Sequence, residues 1–509
     1  MRRGDRPGSR RGAVIGAALL ALVLPALGAC AADAEAESGA VVTAGPVAGT
    51  TAAAAPSRST TGRAGSPGAT GGGDPYWPAD GNGGTDALHY DVRVAYDFAT
   101  GVLRGTSAIR LRATQDLASF SLDLLLPVRS ARVAGRAARV TRTSRHDVRI
   151  RPAQAIPRGT TFTVQVVYAG RPASYGYAGE RNWLADAREV VTMNQPHMAP
   201  WWFPSNDHPG DKATFDIRVT VPRAKRVVSN GVRVSTRIAG SRQTTHWRMV
   251  QPMTTYLAFF AAGDFEVEAG RTPAGTPVVN AVSRRLSSGE RTRAWRELRR
   301  TGQITDWLEA RLGPYPFSST GGVVTSLDVG FALENQSRPT YGSWIYRSIV
   351  VHELAHQWFG DSVAVERWRD IWLNEGFATY FEVLYDAHHG GPSVDSWLQG
   401  QYDSYCVTPG DDLWSVDLRD PGAAQIFDNA VYERGAMVLA ALGNVITPAG
   451  LADLLRAWAA EHRRGNASVA DFEAFAESET GKELTPFFDA WLGGGVPDGT
   501  AENGLAGEC

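Results

Sequence analysis

Five consecutive residues in the middle of the chain, His352 to His356, have the types and spacing of a metal-dependent hydrolase site. They read His-Glu-Leu-Ala-His, an H-E-x-x-H pattern. Histidines four residues apart on a helix project from the same face, with Cβ atoms roughly 5–6 Å apart. That spacing suits two imidazoles binding one tetrahedral Zn²⁺ ion at about 2.0–2.1 Å. Glu353 lies one step round the helix, beside the metal, where it can take a proton from water.

A catalytic zinc site uses three protein ligands and keeps one position open. Glu375 is the candidate third ligand, because eighteen residues separate it from His356 and the intervening loop, 360–369, allows the chain to fold back. The segment 372–385 (WLNEGFATYFEVLY) has the apolar periodicity of a buried helix. Glu382, seven residues beyond Glu375 on the same helix face, is a candidate partner for a zinc ligand. The alternative explanation is a chance H-E-x-x-H on a core helix, with both histidines merely hydrogen-bonded.

The longer sequence HELAHQWFG, followed after that gap by WLNEGFA, resembles the aminopeptidase N family of gluzincin metallopeptidases. Thermolysin-type endopeptidases share the fold of the site but separate their last two ligands by one residue more. The resemblance implies one Zn²⁺ ion per chain, held by His352, His356 and Glu375, with Glu353 as the general base.

A second stretch of the chain resembles the part of this family that binds the substrate. Residues 329–335 (VGFALEN) are similar to the G-x-M-E-N exopeptidase motif, with Phe331 replacing the glycine and Leu333 the methionine. The ammonium of a free peptide N-terminus is costly to bury unless it is paired with a negative charge. We therefore predict that Glu334 binds this amine, and we assign its neighbour Asn335 to the same substrate-binding set. The alternative is a surface glutamate beside a strand.

Two further residues receive roles through the resemblance. The segment 192–196 (TMNQP) is similar to a family landmark whose Glu or Gln, here Gln195, reaches across to the substrate amine. The segment 429–436 (NAVYERGA) resembles the one that carries a catalytic tyrosine. Tyr432 would donate a hydrogen bond to the developing oxyanion. The alternatives are a solvated loop amide for Gln195 and a core phenol for Tyr432.

The pattern of the chain predicts an α+β fold with two domains. An N-terminal all-β domain, 86–268, is indicated by short alternating runs at 88–96, 120–126, 148–151, 161–168, 214–221, 244–250 and 256–261. It resembles the saddle-like N-terminal domain of the family. A thermolysin-like mixed α/β catalytic domain, 269–497, follows, with one long helix expected over 288–312. Longer relatives add a C-terminal helical domain, and we expect none here, only a tail at 498–509.

The N-terminal part of the sequence predicts export. Residues 1–30 combine a basic start with a short apolar stretch and end in Leu27-Gly28-Ala29-Cys30, which resembles a bacterial lipobox cut before Cys30. A lipid on Cys30 would anchor the chain to the outer face of the membrane. Residues 31–85, rich in Ala, Gly, Ser and Thr, are predicted to form a disordered linker. The alternative is an ordinary cleaved secretory signal.

The net charge and the cysteine content of the chain say less about its function than these motifs do. The formal net charge of −2 argues against a nucleic-acid partner. Besides Cys30 the chain has only Cys406 and Cys509, which either form a disulfide or remain free thiols. The sequence is silent on oligomeric state and on the preferred N-terminal residue.

Together these features predict a zinc aminopeptidase acting on peptides with a free N-terminus. A gluzincin endopeptidase would keep the zinc site without needing Glu334. A non-catalytic relative that binds peptides would be expected to lack a ligand, the base or the tyrosine, and all five are present.

Overall fold

The structure is a computed structural model that describes residues 65–406 and 412–507. The predicted lipoprotein signal and residues 31–64 of the predicted linker lie outside this range. The described strands, in chain order, are β1 Ser66–Pro67, β2 Thr85–Asp97, β3 Val102–Ala113, β4 Leu117–Asp123, β5 Val128–Val133, β6 Arg136–Arg142, β7 Asp147–Arg151, β8 Thr161–Gly170, β9 Leu184–Ala185, β10 Val190–Val191, β11 Ala213–Pro222, β12 Arg226–Ser229, β13 Val232–Ala239, β14 Arg242–Met253, β15 Phe260–Gly263, β16 Phe265–Arg271, β17 Pro277–Ser283, β18 Thr320–Val324, β19 Thr340–Tyr341, β20 Ala364–Val365 and β21 Asn466–Ala467. The described α-helices are α1 Ser288–Leu298, α2 Thr301–Leu312, α3 Arg347–Ala355, α4 Trp372–Ala387, α5 Val394–Cys406, α6 Gly435–Ile446, α7 Pro448–Glu461, α8 Val469–Thr480 and α9 Thr485–Leu492.

The N-terminal domain is built on one large sheet, as the alternating sequence predicts. Eleven strands follow the order β1-β4-β7-β6-β5-β8-β3-β2-β11-β14-β13, and a smaller sheet follows the order β12-β15-β10-β9. On β2, alternate residues such as Tyr90 and Val92 are fully buried while Arg93 between Val92 and Val94 is exposed. One face of the sheet therefore packs on the core and the other meets solvent.

The catalytic domain begins slightly earlier than predicted. Strand β16 pairs with β17 in continuous register, from Phe265 opposite Ser283 to Arg271 opposite Pro277. Both belong to a four-stranded sheet, β16-β17-β18-β19, against which α1 and α2 lie. Because β16 belongs to this sheet, the boundary between the domains falls near residue 264 and not at 268.

The single helix predicted over 288–312 is wrong; α1 and α2 are separate helices. The carbonyl of Leu298, which in a continuous helix would accept the N–H of Gly302, instead accepts a hydrogen bond from Asn280 Nδ2 at 2.9 Å. A side chain on β17 thus ends α1, and apolar periodicity does not register such a contact.

We predicted a disordered linker over residues 31–85, but about the last twenty of these residues are part of the fold. Residues 65–84 pack on the folded chain: β1 pairs with β4, and Asp74 is buried. Asp74 Oδ2 accepts the N–H of Trp368 in the catalytic domain at 2.9 Å, and Trp77 packs edge-on against Trp368. Composition missed this segment because buried polar groups and two aromatic rings hold it in place, and it has few aliphatic residues.

The predicted tail also packs on the catalytic domain as far as the description extends. Trp491 Nε1 donates to the carbonyl of Asn503 at 3.0 Å, Asn444 Nδ2 donates to that of Gly504 at 2.9 Å, and Leu505 is buried. Cys406, at the end of α5, is disulfide-bonded. Whether Cys509 is its partner stays open, because Cys30 and Cys509 lie outside the described residues.

Within the described ranges, no single helix has both the length and the hydropathy of a membrane span. The pair Ala430–Ile446 and Pro448–Glu461 meets those criteria jointly, but the two parts are bent by 120°. Residues 436–442 are buried inside the catalytic domain.

Candidate active site

Helices α3 and α4 bring the three predicted zinc ligands together. Helix α3 carries His352, and His356 follows in the same helical turn, its N–H donating to the carbonyl of His352 at 3.1 Å. Helix α4 packs against α3 and carries Glu375 in its first turn. The Nε2 atoms of the two histidines are 3.0 Å apart. Glu375 Oε2 lies 3.3 Å from His352 Nε2 and 3.2 Å from His356 Nε2.

The outer nitrogen of each imidazole is held by a hydrogen bond. His352 Nδ1 lies 2.8 Å from Glu382 Oε1, and His356 Nδ1 lies 3.0 Å from the carbonyl of Phe359. With Nδ1 donating, each ring presents the lone pair of Nε2 to the centre. The contact that we predicted between Glu382 and a candidate ligand is present, and its role at the zinc stays a prediction.

Glu353 lies beside the three predicted ligands. The side chain is 3% exposed, and Oε2 has no hydrogen-bond partner among the described groups. Burial, countered in part by His352 and His356, raises the pKa of Glu353 to about 8. A carboxyl group whose pKa lies near neutrality can both take and return a proton.

Glu334 reaches the same centre from the loop before β19. Its carboxylate, that of Glu353 and a ring nitrogen of His356 all lie within 4.8 Å of one another. Tyr256 donates its hydroxyl to Glu334 Oε1 at 3.1 Å. Glu334 is 2% exposed, and burial raises its pKa. A buried carboxylate beside the ligands, with one hydrogen bond to protein, has capacity left for a cationic group.

Tyr432 lies on the other side of the ligands, on a π-helical segment, Ala430–Arg434, that leads into α6. Its ring stacks on that of His352 with centroids 6.0 Å apart, and burial raises the pKa of Tyr432 well above its usual value. The phenol therefore keeps its proton and can donate it. The segment that carries Tyr432 can lie close to α4 because Gly376 and Gly435 meet without side chains. A Cβ on Gly376 would lie 2.7 Å from Gly435 Cα.

Each of the two domains matches a family of known proteins, and the two matches agree with each other. The Peptidase M1 N-terminal domain matches residues 86–257, and the Peptidase family M1 domain matches residues 321–491. The chain belongs to the M1 metallopeptidase family. The aminopeptidase N resemblance and the α+β, two-domain fold predicted from the sequence are thereby confirmed.

The M1 relatives of known sequence are much longer proteins. The chain is 26% identical to human glutamyl aminopeptidase over 328 residues, 59% of this chain and 34% of that protein. It is also 26% identical to the tricorn protease-interacting factor F2 of Thermoplasma volcanium over 343 residues, 61% of this chain and 42% of that protein. The chain thus spans between a third and a half of the length of these relatives.

Solved M1 structures include two-domain enzymes that match over nearly their whole length. The M1 zinc metallopeptidase of Deinococcus radiodurans, in a variant bound to a Tyr-Ser-Ala substrate, has a TM-score of 0.75 and 26% identity, covering 84% of this chain and 99% of that one. A two-domain M1 zinc metallopeptidase bound to L-tryptophan has a TM-score of 0.76 and 25% identity, with the same coverage.

The spacing of the three candidate ligand atoms fits the Zn²⁺ ion of the M1 family. Tetrahedral bonds of about 2.0–2.1 Å place ligand atoms about 3.3–3.4 Å apart, and the three ligand atoms here form a triangle with sides of 3.0, 3.3 and 3.2 Å. Burial alone would raise the pKa of Glu375, but the neighbouring His356 and His352 outweigh it and lower that pKa. Zn²⁺ is accordingly the cofactor of this M1 site.

Asn335, which we assigned to the substrate-binding set, makes hydrogen bonds to other parts of the protein. It is fully buried, and both ends of its amide are used within the protein. Nδ2 donates to the carbonyl of Leu257 at 3.1 Å, and Oδ1 accepts the hydroxyl of Thr340 at 3.0 Å. The side chain therefore helps to fix the loop that carries Glu334, and its part in substrate binding stays a prediction.

Gln195 lies on the loop predicted for it, and its Nε2 is buried without a hydrogen-bond partner among the described residues. An unpaired buried amide is costly and is expected to find a partner when a ligand binds. No contact between Gln195 and Glu334 is recorded in the described part of the chain, so their joint role stays a prediction.

Sequence reasoning missed two residues that position Glu334. One is Tyr256, described above. The other is Gln357, directly after the second histidine: its Nε2 donates to the carbonyl of Glu334 at 3.0 Å and its Oε1 accepts the N–H of Ser337 at 2.6 Å. A glutamine on an otherwise apolar buried turn was the available signal, since buried amides need partners.

Replacing Tyr432 by phenylalanine tests its predicted role as a donor in this M1 site. We expect kcat to fall about 10²–10³-fold, the usual loss for one oxyanion donor, with KM much less affected. Steady-state kinetics on an aminoacyl nitroanilide measure this, and zinc content checks that the metal site is intact. An unchanged kcat would show that Tyr432 is a packing residue.

Proposed function

We propose that this protein is a zinc-dependent aminopeptidase that hydrolyses the first peptide bond of peptides with a free N-terminus. The observation that carries the proposal is the position of Glu334, whose buried carboxylate lies within 4.8 Å of the Glu353 carboxylate and a ring nitrogen of His356. A substrate ammonium paired with Glu334 leaves room for only one residue before the reacting bond. The match to a structure bound to Tyr-Ser-Ala is consistent with a peptide substrate.

The chain's own groups divide the reaction between them. Bound zinc would supply a Lewis acid that polarises the scissile carbonyl and makes water more acidic. Glu353, whose Oε2 is unpartnered, takes the proton of the attacking water and later delivers it to the leaving amine. Tyr432 donates a hydrogen bond to the oxyanion. Glu334, with Gln195, holds the substrate amine.

Zinc removal and return test the metal dependence. A chelator is expected to abolish hydrolysis, and one equivalent of Zn²⁺ per chain should restore it. Glu382→Gln weakens the orientation of His352, and we expect it to lower zinc affinity about 10–100-fold, the usual effect of losing such a partner. The zinc concentration that restores half of the activity measures this difference. Full activity in metal-free protein would contradict the proposal.

For localisation, we propose that the chain is exported and tethered to the outer face of a bacterial membrane by a lipid on Cys30. The sequence of residues 1–30 supports this, and these residues lie outside the described range. We expect Cys30→Ser to move the protein from the membrane fraction to the soluble one and to abolish labelling by a fatty-acid probe. Equal membrane retention of the two proteins would favour another anchor, and a soluble wild-type protein would favour secretion.

A further inference from the structure

A second group of metal-ligand side chains lies in the N-terminal β domain. Asp123 ends β4, Asp147 begins β7, and the register of the two strands places these residues directly opposite each other. His146 precedes Asp147. All three are buried, at 0–4% exposure, and one ligand atom from each lies within 4.8 Å of the others.

Asp123 and Asp147 place two like charges close together in this cluster. Carboxylates directly opposite each other on paired strands repel, and burial without a counterion makes the repulsion more costly. Asp80, brought in by the segment 65–84, is a third buried carboxylate, with Oδ1 3.7 Å from His146 Nε2, but both of its oxygens are engaged. Oδ1 accepts the hydroxyl of Tyr177, and Oδ2 lies 2.6 Å from His197 Nε2. Burial lowers the pKa of His197, but hydrogen bonds to Asp80 and Glu180 outweigh it and raise that pKa to about 10, so His197 already balances the charge of Asp80. Burial, together with Asp207 and the other carboxylates, raises the pKa of Asp123 well above its usual value. A positive charge is therefore favoured here.

The donor atoms face a common point. Each of the two opposed aspartates has its outer oxygen occupied: Asp123 Oδ2 accepts the N–H of Asp207 at 2.8 Å, and Asp147 Oδ2 accepts the hydroxyl of Ser144 at 2.8 Å. The inner oxygens lie 3.5 Å and 3.9 Å from His146 Nε2. These distances are too long for good hydrogen bonds.

Two buried oxygens at this point lack hydrogen-bond partners among the described groups. They are Asp147 Oδ1 and Asn82 Oδ1. Asn82 is held in the cluster by its Nδ2, which donates to Asp123 Oδ1 at 3.1 Å. The carbonyl of Ala79 lies 3.1 Å from His146 Nε2 and adds another oxygen. Orphaned oxygens in a buried, negatively charged cluster are typical of a cation site.

We propose that Asp123, His146 and Asp147 bind a divalent cation, Ca²⁺ or Mn²⁺. The donor set is mostly oxygen with one imidazole, which suits these ions better than the soft-ligand metals. Ca²⁺–oxygen distances of about 2.3–2.6 Å place neighbouring ligands about 3.3–3.7 Å apart. The distances from His146 Nε2 to the two carboxylates are 3.5 Å, within that spacing, and 3.9 Å, slightly above it. Both exceed the 3.0–3.3 Å of the predicted zinc ligands.

Such an ion would join β4 through Asp123 to β7 through Asp147, next to the segment 65–84, whose Asn82 donates to Asp123. Its role is therefore stabilising, and it is independent of the zinc and of peptide hydrolysis. The competing source of positive charge is a proton on His146, which a metal measurement separates from a bound cation.

Elemental analysis and thermal unfolding of the full chain test the site. We expect one Ca²⁺ or Mn²⁺ per chain besides Zn²⁺, and addition of that ion to chelator-treated protein should raise Tm by about 3 °C or more at saturating concentration. Asp147→Asn, which keeps the size of the side chain, should lose both the ion and the Tm response. Asp97→Asn, at a turn of the same domain, should keep both.

A zinc-site variant separates this site from the catalytic one. His356→Ala is expected to lose Zn²⁺ and to retain the second ion. The proposal is overturned if the wild-type chain binds no ion besides Zn²⁺ and neither Ca²⁺ nor Mn²⁺ raises its Tm, which is the result for a protonated His146. An equal Tm response in Asp147→Asn, or a second Zn²⁺ in place of Ca²⁺ or Mn²⁺, would also contradict it.

Discussion

Glu353→Gln is expected to lower kcat about 10²–10⁴-fold, the contribution of a general acid–base group, while zinc stays bound. The substitution keeps the shape of the side chain but removes the group that takes the proton from water. Zinc should remain because its predicted ligands are His352, His356 and Glu375, and Glu353 is not among them. Single-turnover kinetics on an aminoacyl nitroanilide, together with zinc content, measure both effects.

A matched control for this variant is Glu366→Gln, because Glu366 is an exposed carboxylate on the loop between α3 and α4. It should leave kcat and zinc content unchanged. If Glu353→Gln kept more than a tenth of the wild-type kcat, the base would have to be another group. A loss of zinc in that variant would show that Glu353 supports the metal site, and kcat could then not be assigned to proton transfer.

Glu334→Gln should have the second-largest effect, this time on kcat/KM for substrates with a free amine. Removing one partner of a buried charge pair typically costs about 2–5 kcal/mol, so we expect a loss of about 10²–10³-fold. Glutamine keeps the hydrogen bond with Tyr256 and the packing of the loop, but it has no negative charge for the ammonium. Steady-state kinetics with free-amine and N-acetylated substrates measure the loss and its dependence on the amine.

Tyr256→Phe is the control for this effect. It removes the hydrogen bond to Glu334 Oε1 and leaves the charge, so its loss should be much smaller. A Glu334→Gln enzyme that cleaved free-amine substrates as well as the wild type would contradict the assigned role. A uniform loss on free and acetylated substrates would show that Glu334 acts on the reaction itself and does not select the amine.

The arrangement of the candidate zinc residues could be predicted from the sequence because they lie on, or directly after, two helices. Helical geometry fixes His352 relative to His356 and Glu375 relative to Glu382, and the only long-range step is the pairing of α3 with α4. The contact between His352 Nδ1 and Glu382 Oε1 follows from that pairing.

The parts that escaped prediction depend on contacts between residues far apart in the chain. Asn280 ends α1, Asp74 ties the segment 65–84 to the catalytic domain, and Gln357 holds the loop of Glu334. Each is a single polar side chain meeting a backbone group of another element. Such contacts leave no periodic pattern, so only the three-dimensional arrangement reveals them.

The direct test of the central claim compares a chromogenic aminoacyl amide with its N-acetylated twin as substrates of the wild-type enzyme. The protein should include residues 65–84, because they pack between the two domains. We expect hydrolysis of the free-amine substrate only, lost on chelation and in Glu353→Gln. Equal hydrolysis of the acetylated twin would contradict an aminopeptidase and point to an endopeptidase with the same zinc site.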